Sequence, residues 1–355
     1  MNKVTISPTE CQIGDILAQD IYRTGDRNSL IPENTVISEL TITKLISFNI
    51  EKVTVFRSEN NVVNEEMSFP PNNGKRLDVF KKEYGQAMNS ARELLNDVMI
   101  GKPLEREKTE NIVESLFTHA AENYSLISCL INIKDKDNYL YTHAVNVSIY
   151  ALILAKWMHL SDDQVKDLVK AGLLHDFGKS KIPPAILNKQ EPLTPLEYEI
   201  IRQHPAIGYN MIKDLPWLST DVKEAVLAHH EREDGNGYPY GLLAKDIHIY
   251  AKIIAIADIY DAMTSSTTYR HRSTPFETFK EIERIGIGTF DIKIMHTFLA
   301  NLAQHYIGSK VRLDTGETGE IVFISPQSIS TPIVKVGTKY YDLYHEKGHN
   351  IQEIL

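Results

Sequence analysis

The hydrophobic pattern of the chain has a helical period through its centre and a strand-like alternation at both ends. From residue 126 to residue 305, apolar residues recur three and four positions apart, which is typical of amphipathic helices that bury one face. Two helix starts carry a capping box, one at Ser161–Gln164 and one at Thr194–Glu197, where a proline follows the cap. The pattern therefore predicts a bundle of helices for this central region.

The N-terminal part is predicted to be a small module followed by a linker. Residues 1–57 alternate short β-like runs with turn residues, and we expect a short helix over Thr41–Phe48 and a strand over Lys52–Phe56. This is the pattern of a small α+β accessory module. Residues 58–75 are polar and rich in turn residues, which indicates a linker. Residues 76–125 return to helical spacing and predict connecting helices.

The C-terminal part changes to the alternation of strands. Strands are predicted at Lys310–Leu313, Glu320–Ile324 and Ile333–Val336, with turn residues between them. We therefore expect a small β-barrel-like module over residues 306–355, whose exposed strands offer protein contacts. The expected fold class is mainly α, with a small module at either end.

Composition limits the classes of function. The 355 residues are 42% hydrophobic and 24% charged, as in a globular protein, and the net charge of −9 argues against a surface for double-stranded nucleic acid. Cys11 and Cys129 have no metal-ligand spacing and indicate free thiols in the cytoplasm. The N-terminus lacks the apolar core of a signal peptide, and the most apolar stretch, Val147–Met158, is too short to span a bilayer. We expect a cytoplasmic protein that does not enter a membrane.

Polar residues lie on the apolar faces of successive helices in the central region. His143 shares a face with Val147 and Tyr150, and Asp258 follows Ile254 at a spacing of four. Residues three and four apart lie on one side of a helix, so these polar side chains point inward. The complete set of candidate metal ligands is His143, His175, Asp176, His204, His229, His230 and Asp258.

A single buried histidine is most often an ordinary core residue, with its ring nitrogens hydrogen-bonded to the backbone. Seven inward His and Asp side chains on five successive helices are different. Burying them without cations leaves several unpaired polar groups, each of which costs about 1–3 kcal/mol. Coordination of metal ions by these side chains would remove that cost. The remaining histidines of the chain do not belong to this pattern and are expected to be ordinary residues.

The donor set indicates the kind of metal. Imidazole-rich sites with a few carboxylates suit iron, manganese or zinc rather than calcium. Five histidines and two aspartates exceed the needs of one catalytic ion, so we expect two divalent ions bridged by Asp176, with Fe or Mn favoured over Zn. Two ions about 3.5–4 Å apart can activate a bridging water and hold the oxygens of a phosphodiester.

The candidate ligands belong to a series of short motifs. The series is His143, His175-Asp176-Phe-Gly-Lys179, His204-Pro205, His229-His230-Glu231, Gly235-Asn-Gly237-Tyr238-Pro239 and Asp258-Ile-Tyr-Asp261-Ala. It resembles the HD-GYP family, which are bacterial metal-dependent phosphodiesterases of the HD superfamily that hydrolyse cyclic di-GMP. The resemblance covers roughly residues 126–305 and implies an HD-superfamily helical bundle as the catalytic domain. It is specific, because a generic HD hydrolase has only the first histidine, the His-Asp pair and a later aspartate.

The resemblance also implies roles for individual residues. All seven candidate ligands match metal ligands of the family. Lys179 is similar to a lysine that contacts the scissile phosphate, and Lys179 and Asp176 are the expected catalytic residues. The motif Gly237-Tyr238-Pro239 resembles the family motif whose tyrosine lies at the substrate pocket. Asp261 lies where it either orients a ligand histidine or caps a helix.

The sequence departs from the family pattern at two places. Some members have a glutamate four residues before the first histidine that binds a third metal, whereas this chain has Tyr139, so two metals are expected. An Arg-Pro-Tyr often follows the last motif, whereas this chain has Thr267-Thr268-Tyr269-Arg270. Thr267 therefore removes a phosphate-binding arginine, and Arg270 is the candidate that replaces it in binding substrate.

The resemblance implies a phosphodiesterase that converts cyclic di-GMP to pGpG by attack of a metal-bridged hydroxide, with further cleavage to GMP left open. Three alternatives stay open. One is a cyclic-dinucleotide sensor with weak turnover, which Thr267 favours; another is a phosphodiesterase for cyclic GMP-AMP. The third is an HD-type oxygenase, against which the intact Gly-Tyr-Pro argues. A homodimer and signalling protein partners are further expectations.

Overall fold

The computed structural model describes residues 2–12, 15–22, 29–31, 37, 41–42, 45–46, 48, 50–57, 74–121, 139–265, 274–346 and 348–355. The chain divides into two compact units, one of Met1–Asn72 with Ile307–Leu355 and one of Asn73–Tyr306. The domain boundaries derived from the sequence stay predictions. The expected helix over Thr41–Phe48 lies only partly within the described ranges, and the expected linker over 58–75 lies almost wholly outside them.

The N-terminal strands of the first unit form two small antiparallel sheets. The strands are β1 Asn2–Ile6, β2 Ile16–Leu17, β3 Ile21–Tyr22, β4 Ser29–Ile31 and β5 Val53–Arg57. β5 lies between β1 and β2, and β3 pairs with β4. Val53 and Val55, two residues apart on β5, are buried with Leu17 in one apolar core. The strand predicted over Lys52–Phe56 is confirmed.

The C-terminal strands form one antiparallel sheet of five strands. They are β6 Lys310–Leu313, β7 Thr318–Ser325, β8 Ser328–Val336, β9 Lys339–Asp342 and β10 Ile351–Ile354. Along β6, Val311 and Leu313 are buried while Lys310 and Arg312 are exposed, so one face of the sheet covers a core. The three predicted strands are confirmed.

The β-barrel-like detail of the C-terminal prediction is not confirmed. The strand order is β10-β6-β7-β8-β9, so β10 and β9 are the edges of an open sheet among the described strands. A barrel requires the two edge strands to pair with each other. Alternation in a sequence specifies which face of a strand is buried, and it carries no information on closure.

The second unit is helical. Its helices are α1 Gly74–Met99, α2 Arg106–Ala121, α3 Tyr139–Trp157, α4 Asp162–Leu174, α5 Pro184–Leu187, α6 Pro195–Ile201, α7 His204–Ile212, α8 Thr220–Ala228, α9 Ile249–Thr264, α10 Pro275–Gly286 and α11 Ile292–Gln304. Both predicted capping boxes are confirmed: Ser161 accepts a hydrogen bond from the Gln164 N–H before α4, and Thr194 accepts one from the Glu197 N–H before α6. Within the described ranges, none of the helices has the length and apolar character needed to cross a bilayer.

Two glycines allow the close packing that forms the centre of this unit. A Cβ on Gly172 of α4 would lie 2.7 Å from the Cα of Ser148 in α3, so the helix contact has no room for a side chain. Gly178 lies just as tightly against the carbonyl oxygen of His204 at the start of α7. These approaches bring α4 against α3 and the segment that follows α4 against the start of α7, and the candidate ligands lie around these contacts.

Candidate metal centre and the residues around it

The structure brings all seven candidate ligands into two groups. The first group is Asp176, His204, His229 and His230, and the second is His143, His175 and Asp258. Within each group, one potential ligand atom of each residue lies within 4.8 Å of the others. All seven are buried except His230 and Asp258, which are half-buried. The arrangement is therefore a compact internal cluster of imidazoles and carboxylates.

Three histidines are held by backbone carbonyls three residues earlier in the chain. The Nδ1 atoms of His175, His204 and His229 lie 2.7, 2.8 and 2.8 Å from the carbonyl oxygens of Gly172, Ile201 and Val226 respectively. A carbonyl can only accept a hydrogen bond, so each Nδ1 must donate its proton. In the neutral form of each ring, Nε2 is then left with a lone pair, which is the state that binds a metal.

Several Nε2 and carboxylate oxygen atoms of the cluster face one another with lone pairs, and a cation would satisfy them where a hydrogen bond cannot. The Nε2 atoms of His204 and His229 are only 3.2 Å apart, and both carry lone pairs when Nδ1 holds the proton. That separation suits two imidazoles on one ion at about 2.0–2.1 Å each. Nε2 of His175 and Oδ1 of Asp176 are buried without a hydrogen-bond partner. The donor set therefore fits divalent metal ions.

The two aspartates lie between the groups. Asp176 Oδ1 is 3.2 Å from His204 Nε2, and its Oδ2 is 3.4 Å from His175 Nε2. Asp258 Oδ1 is 3.0 Å from His143 Nε2, and its Oδ2 is 3.8 Å from His230 Nδ1. Each carboxylate thus contacts one histidine of the first group and one of the second.

Burial and neighbouring charges set the protonation of these ligands. Burial lowers the pKa of His229 well below its usual range and that of His230 to about 3, so both rings are neutral at pH 7. Burial opposes charge on His143 as well, but hydrogen bonds to Asp258 and Asp261 outweigh it and raise the pKa of His143 to about 10. His143 and Asp258 would release that proton on holding a metal ion, because metal ligands bind in their deprotonated form.

The carboxylates stay ionised despite their burial. Burial would raise the pKa of Asp176, but the charges of Lys179 and then His175 outweigh it and hold that pKa well below its usual range. The hydrogen bond and charge of His143 do the same for Asp258. Both aspartates are therefore available as anionic ligands at pH 7.

Asp261 contacts a candidate ligand from behind. Its Oδ2 accepts a hydrogen bond from Nδ1 of His143 at 2.8 Å, and its side chain is buried. This contact directs Nε2 of His143 towards Asp258 and fixes the plane of the ring. Of the two roles left open by the sequence, the geometry matches orientation of a histidine.

Lys179 brings a positive charge to the cluster. Its Nζ is 2.6 Å from Oδ2 of Asp176, and 24% of its side chain is exposed. Burial would lower the pKa of Lys179, but the charge of Asp176 outweighs it and raises that pKa. The lysine is therefore a permanent cation next to the candidate ligands.

Tyr238 packs directly against the first group. Its ring lies 4.6 Å from the ring of His230 at an angle of 31°, and 6.4 Å from that of His204. A Cβ on the preceding Gly237 would overlap the backbone of Glu231 and Arg232, so this turn requires glycine. Pro239 follows and is half-buried. The Gly-Tyr-Pro motif thus places an aromatic ring at the edge of the cluster.

Glu231 and Arg202 have contacts around Tyr238 that the sequence did not indicate. The buried carboxylate of Glu231 accepts hydrogen bonds from the backbone N–H groups of Tyr240 (2.7 Å) and Leu242 (2.9 Å), which anchors the loop. The Arg202 guanidinium lies 4.8 Å from the centre of the Tyr238 ring. The position of Arg202 two residues before His204 was the only available signal.

Two predictions cannot be compared with the structure. Thr267 and Arg270, the substituted and the compensating phosphate contacts, both lie outside the described residues. Arg270 therefore stays a predicted substrate contact.

Comparisons with known proteins agree with this architecture. A family model described as an HD domain matches residues 128–294. The chain is 32% identical over 243 residues to the cyclic di-GMP phosphodiesterase PA4108 of Pseudomonas aeruginosa, covering 68% of this chain and 58% of that protein. It is 31% identical over 187 residues to the 3'3'-cGAMP-specific phosphodiesterase 1 of Vibrio cholerae, covering 52% of this chain and 43% of that protein. The chain thus spans about half the length of these curated relatives.

A solved structure has a similar fold. The HDG"Y"P protein Bd1817 from Bdellovibrio bacteriovorus superposes with a TM-score of 0.53 at 18% sequence identity, covering 85% of this chain and 99% of that one. The fold and the cluster of histidines and aspartates define an HD-domain protein. The similarity to several curated cyclic di-GMP phosphodiesterases is consistent with the HD-GYP family.

Proposed function

We propose that this chain is a metal-dependent phosphodiesterase that hydrolyses cyclic di-GMP to pGpG. The observation that carries the proposal is the pair of ligand groups around Asp176 and Asp258, bordered by Lys179 and Tyr238. A sensor without turnover needs the substrate contacts, but it does not need Asp176, His230 and Asp258 to converge with the other histidines. The names of the curated relatives support the same reaction class.

Each group of ligands would hold one ion. His204, His229 and His230 would hold the first, and His143, His175 and Asp258 the second. Asp176 contacts histidines of both groups, so it is the proposed bridge. The mixed set of imidazoles and carboxylates suits iron, manganese or zinc, and iron or manganese is the proposed metal. When bound, the two ions supply Lewis-acid activation of the phosphodiester and of the attacking water.

The remaining side chains would bind and orient the substrate. Lys179 uses one N–H on Asp176 and has further donors for a non-bridging phosphate oxygen, where negative charge develops. Tyr238 presents a ring beside the ligands on which a nucleobase or ribose can pack. Arg202 adds a cation at the same edge, which matters because the chain as a whole is anionic. A homodimer, signalling partners and a cytoplasmic location stay predictions.

The first test combines metal analysis with turnover. Protein purified without oxygen and loaded with iron or manganese is expected to hold about two ions per chain and to convert cyclic di-GMP to pGpG, as followed by chromatography. Asp176→Ala is expected to lower turnover by at least about 100-fold, because it removes the proposed bridge and the partner of Lys179. Asp221→Ala, which removes a half-exposed carboxylate near His248, is the matched control and should match the wild type.

The results of this test distinguish a phosphodiesterase from a sensor and one cyclic dinucleotide substrate from the other. Two bound ions with saturable binding of cyclic di-GMP but no turnover would support the sensor, and a chain that binds no metal after reconstitution would contradict the metal centre. Cyclic GMP-AMP is the second candidate substrate, because one relative is named for it. A higher kcat/KM for cyclic GMP-AMP than for cyclic di-GMP would replace the first assignment with the second.

A further inference from the structure

A buried chain of hydrogen bonds connects α1 to the candidate metal centre. The Tyr84 hydroxyl of α1 donates to Oδ1 of Asn146 in α3 at 2.8 Å, and Nδ2 of Asn146 donates to Oδ1 of Asp261 in α9 at 2.8 Å. The other oxygen of Asp261 accepts from Nδ1 of His143 at 2.8 Å. None of the four residues is more than 7% exposed.

Every donor in this chain is fixed by its neighbour. The Asp261 carboxylate only accepts hydrogen bonds, so Asn146 must turn its NH₂ group towards it. The amide oxygen of Asn146 then faces Tyr84 and can only accept, so the tyrosine hydroxyl must donate. The same carboxylate requires Nδ1 of His143 to donate, which leaves Nε2 for the metal side. The position of the Tyr84 hydroxyl thus limits the rotation of Asp261.

Helix α1 lies outside the part of the chain that matches the HD domain. That match covers residues 128–294, whereas α1 ends at Met99. The helix also reaches the centre at a second point, because Leu95 and Met99 line a small cavity whose wall includes Asp176. Two separate stretches of α1 therefore connect to the candidate metal centre, one through Asn146 and Asp261 and the other along the cavity wall that includes Asp176.

We propose that Tyr84 and Asn146 are positioning residues of the metal centre, which hold Asp261 and through it the His143 imidazole in the orientation that binds metal. The proposal rests on the proposed metal centre but not on the identity of the substrate. Helix α1 then belongs to the functional site, and any shift of α1 relative to α3 changes the metal affinity of the group that contains His143.

Tyr84→Phe isolates the effect of one hydroxyl. The ring is retained, while Asn146 Oδ1 loses the donor that holds it and Asp261 gains freedom to rotate. Loss of an outer partner of a ligand histidine lowers metal affinity about 10- to 100-fold, and we expect about 10-fold for this more distant change. Asn146→Asp removes the donor to Asp261 with nearly the same shape, so its loss should be larger.

A second tyrosine provides a matched control. Tyr141 of α3 donates to Oδ1 of Asn96 in α1 at 2.7 Å, so it forms the same kind of bond between the same two helices. That bond is exposed and has no contact with Asp261. Tyr141→Phe therefore reports what the loss of a Tyr–Asn bond between α1 and α3 does by itself.

The experiment titrates metal-free full-length protein with Mn²⁺ and follows free Mn²⁺ by its paramagnetic resonance signal. We expect Tyr84→Phe to weaken one class of Mn²⁺ site about 10-fold and leave the other within about twofold, with Tyr141→Phe like the wild type. In turnover assays, excess Mn²⁺ should restore the kcat of Tyr84→Phe, which a general loss of folding would not allow.

Three results would overturn the proposal. They are wild-type affinity at both sites in Tyr84→Phe, an equal loss in Tyr141→Phe, and wild-type protein that binds no metal. Failure of the substrate assignment would look different, because Mn²⁺ would still bind in two classes while cyclic di-GMP remained intact.

Discussion

At the scale of single residues, Arg202 is the side chain whose role depends most on the structure. Its guanidinium lies 4.8 Å from the centre of the Tyr238 ring and 3.0 Å from the Glu199 carboxylate, and 30% of its side chain is exposed. Tyr238 in turn packs on His230. Arg202 therefore places a partly exposed cationic side chain within two ring contacts of the candidate metal ligands, at the edge where the proposed substrate would bind.

Arg202→Ala is expected to raise KM about tenfold for the cyclic dinucleotide and to change kcat by less than about threefold, because a charge-assisted contact made before the chemical step is lost. Steady-state rates at saturating metal measure both constants. The control is Arg284→Ala, which removes an exposed arginine paired with Glu281 on α10. An unchanged KM, or an equal change in the control, would remove Arg202 from the substrate site.

The sequence indicated the candidate ligands because helical spacing brings each of them to an apolar face. Glu231 and Tyr84 have no such signal. The Glu231 carboxylate binds N–H groups nine and eleven residues further along an irregular loop, and Tyr84 meets Asn146 across 62 residues of chain. Contacts between irregular segments or distant helices depend on tertiary packing, which periodicity does not encode.

At the scale of elements, the contact between α3 and α4 decides where His175 lies. Gly172 meets the backbone of Ser148 directly, and His175 follows three residues later with its Nδ1 bonded to the Gly172 carbonyl. A side chain at position 172 would separate the two helices and carry His175 with α4. The backbone of Ser148 cannot change rotamer as a side chain can, so the two helices would have to move apart to relieve the overlap.

Gly172→Ala is expected to lower the unfolding free energy of the metal-free protein by about 1–3 kcal/mol through overpacking. Urea denaturation measures it. Gly85→Ala is the control, since Gly85 lies within α1 and an added Cβ there has no atom within 4 Å. That substitution should stabilise the protein by up to about 1 kcal/mol, because alanine favours a helix. Stabilisation by both substitutions would show that α3 and α4 do not pack as described.

Elements were predictable where local chemistry defines them. The capping boxes at Ser161 and Thr194 and the strand over Lys52–Phe56 need only neighbouring residues, and the structure has each of them. Closure of the C-terminal sheet depends on the pairing of β9 with β10, a contact between chain segments that the alternation of either strand leaves unspecified.

At the scale of the whole molecule, a histidine outside the metal centre links stability to pH. His305 follows α11 and stacks on Trp157 with ring centroids 6.3 Å apart. Burial lowers the pKa of His305 to about 4, whereas the unfolded chain protonates this side chain near pH 6.5. As the pH falls below 6.5, His305 is protonated in the unfolded state but not in the folded state. The free energy of unfolding therefore decreases until about pH 4, where the folded state is protonated as well.

Relative to His305→Phe, the wild type is expected to lose about 2 kcal/mol of unfolding free energy between pH 7 and pH 5. The phenylalanine keeps a ring against Trp157 and has no proton to gain. Chemical denaturation of both proteins at the two pH values gives the difference directly, and the metal-free form should be used so that proton–metal competition does not contribute. A difference that is the same at both pH values would contradict the burial of His305.

The three bonds from histidine Nδ1 to a carbonyl also bear on how such a chain changes over evolution. Gly172, Ile201 and Val226 lie in the last turns of α4, α6 and α8, where carbonyl groups have no partner within the helix. Each histidine thus satisfies a carbonyl at the end of the preceding helix and leaves Nε2 available for a metal. A descendant that had lost catalysis would still be selected to keep these three side chains for folding alone. The presence of these three histidines in a homologue is therefore not evidence of activity. Loss of side chains that have no role in folding is a better sign that activity has been lost.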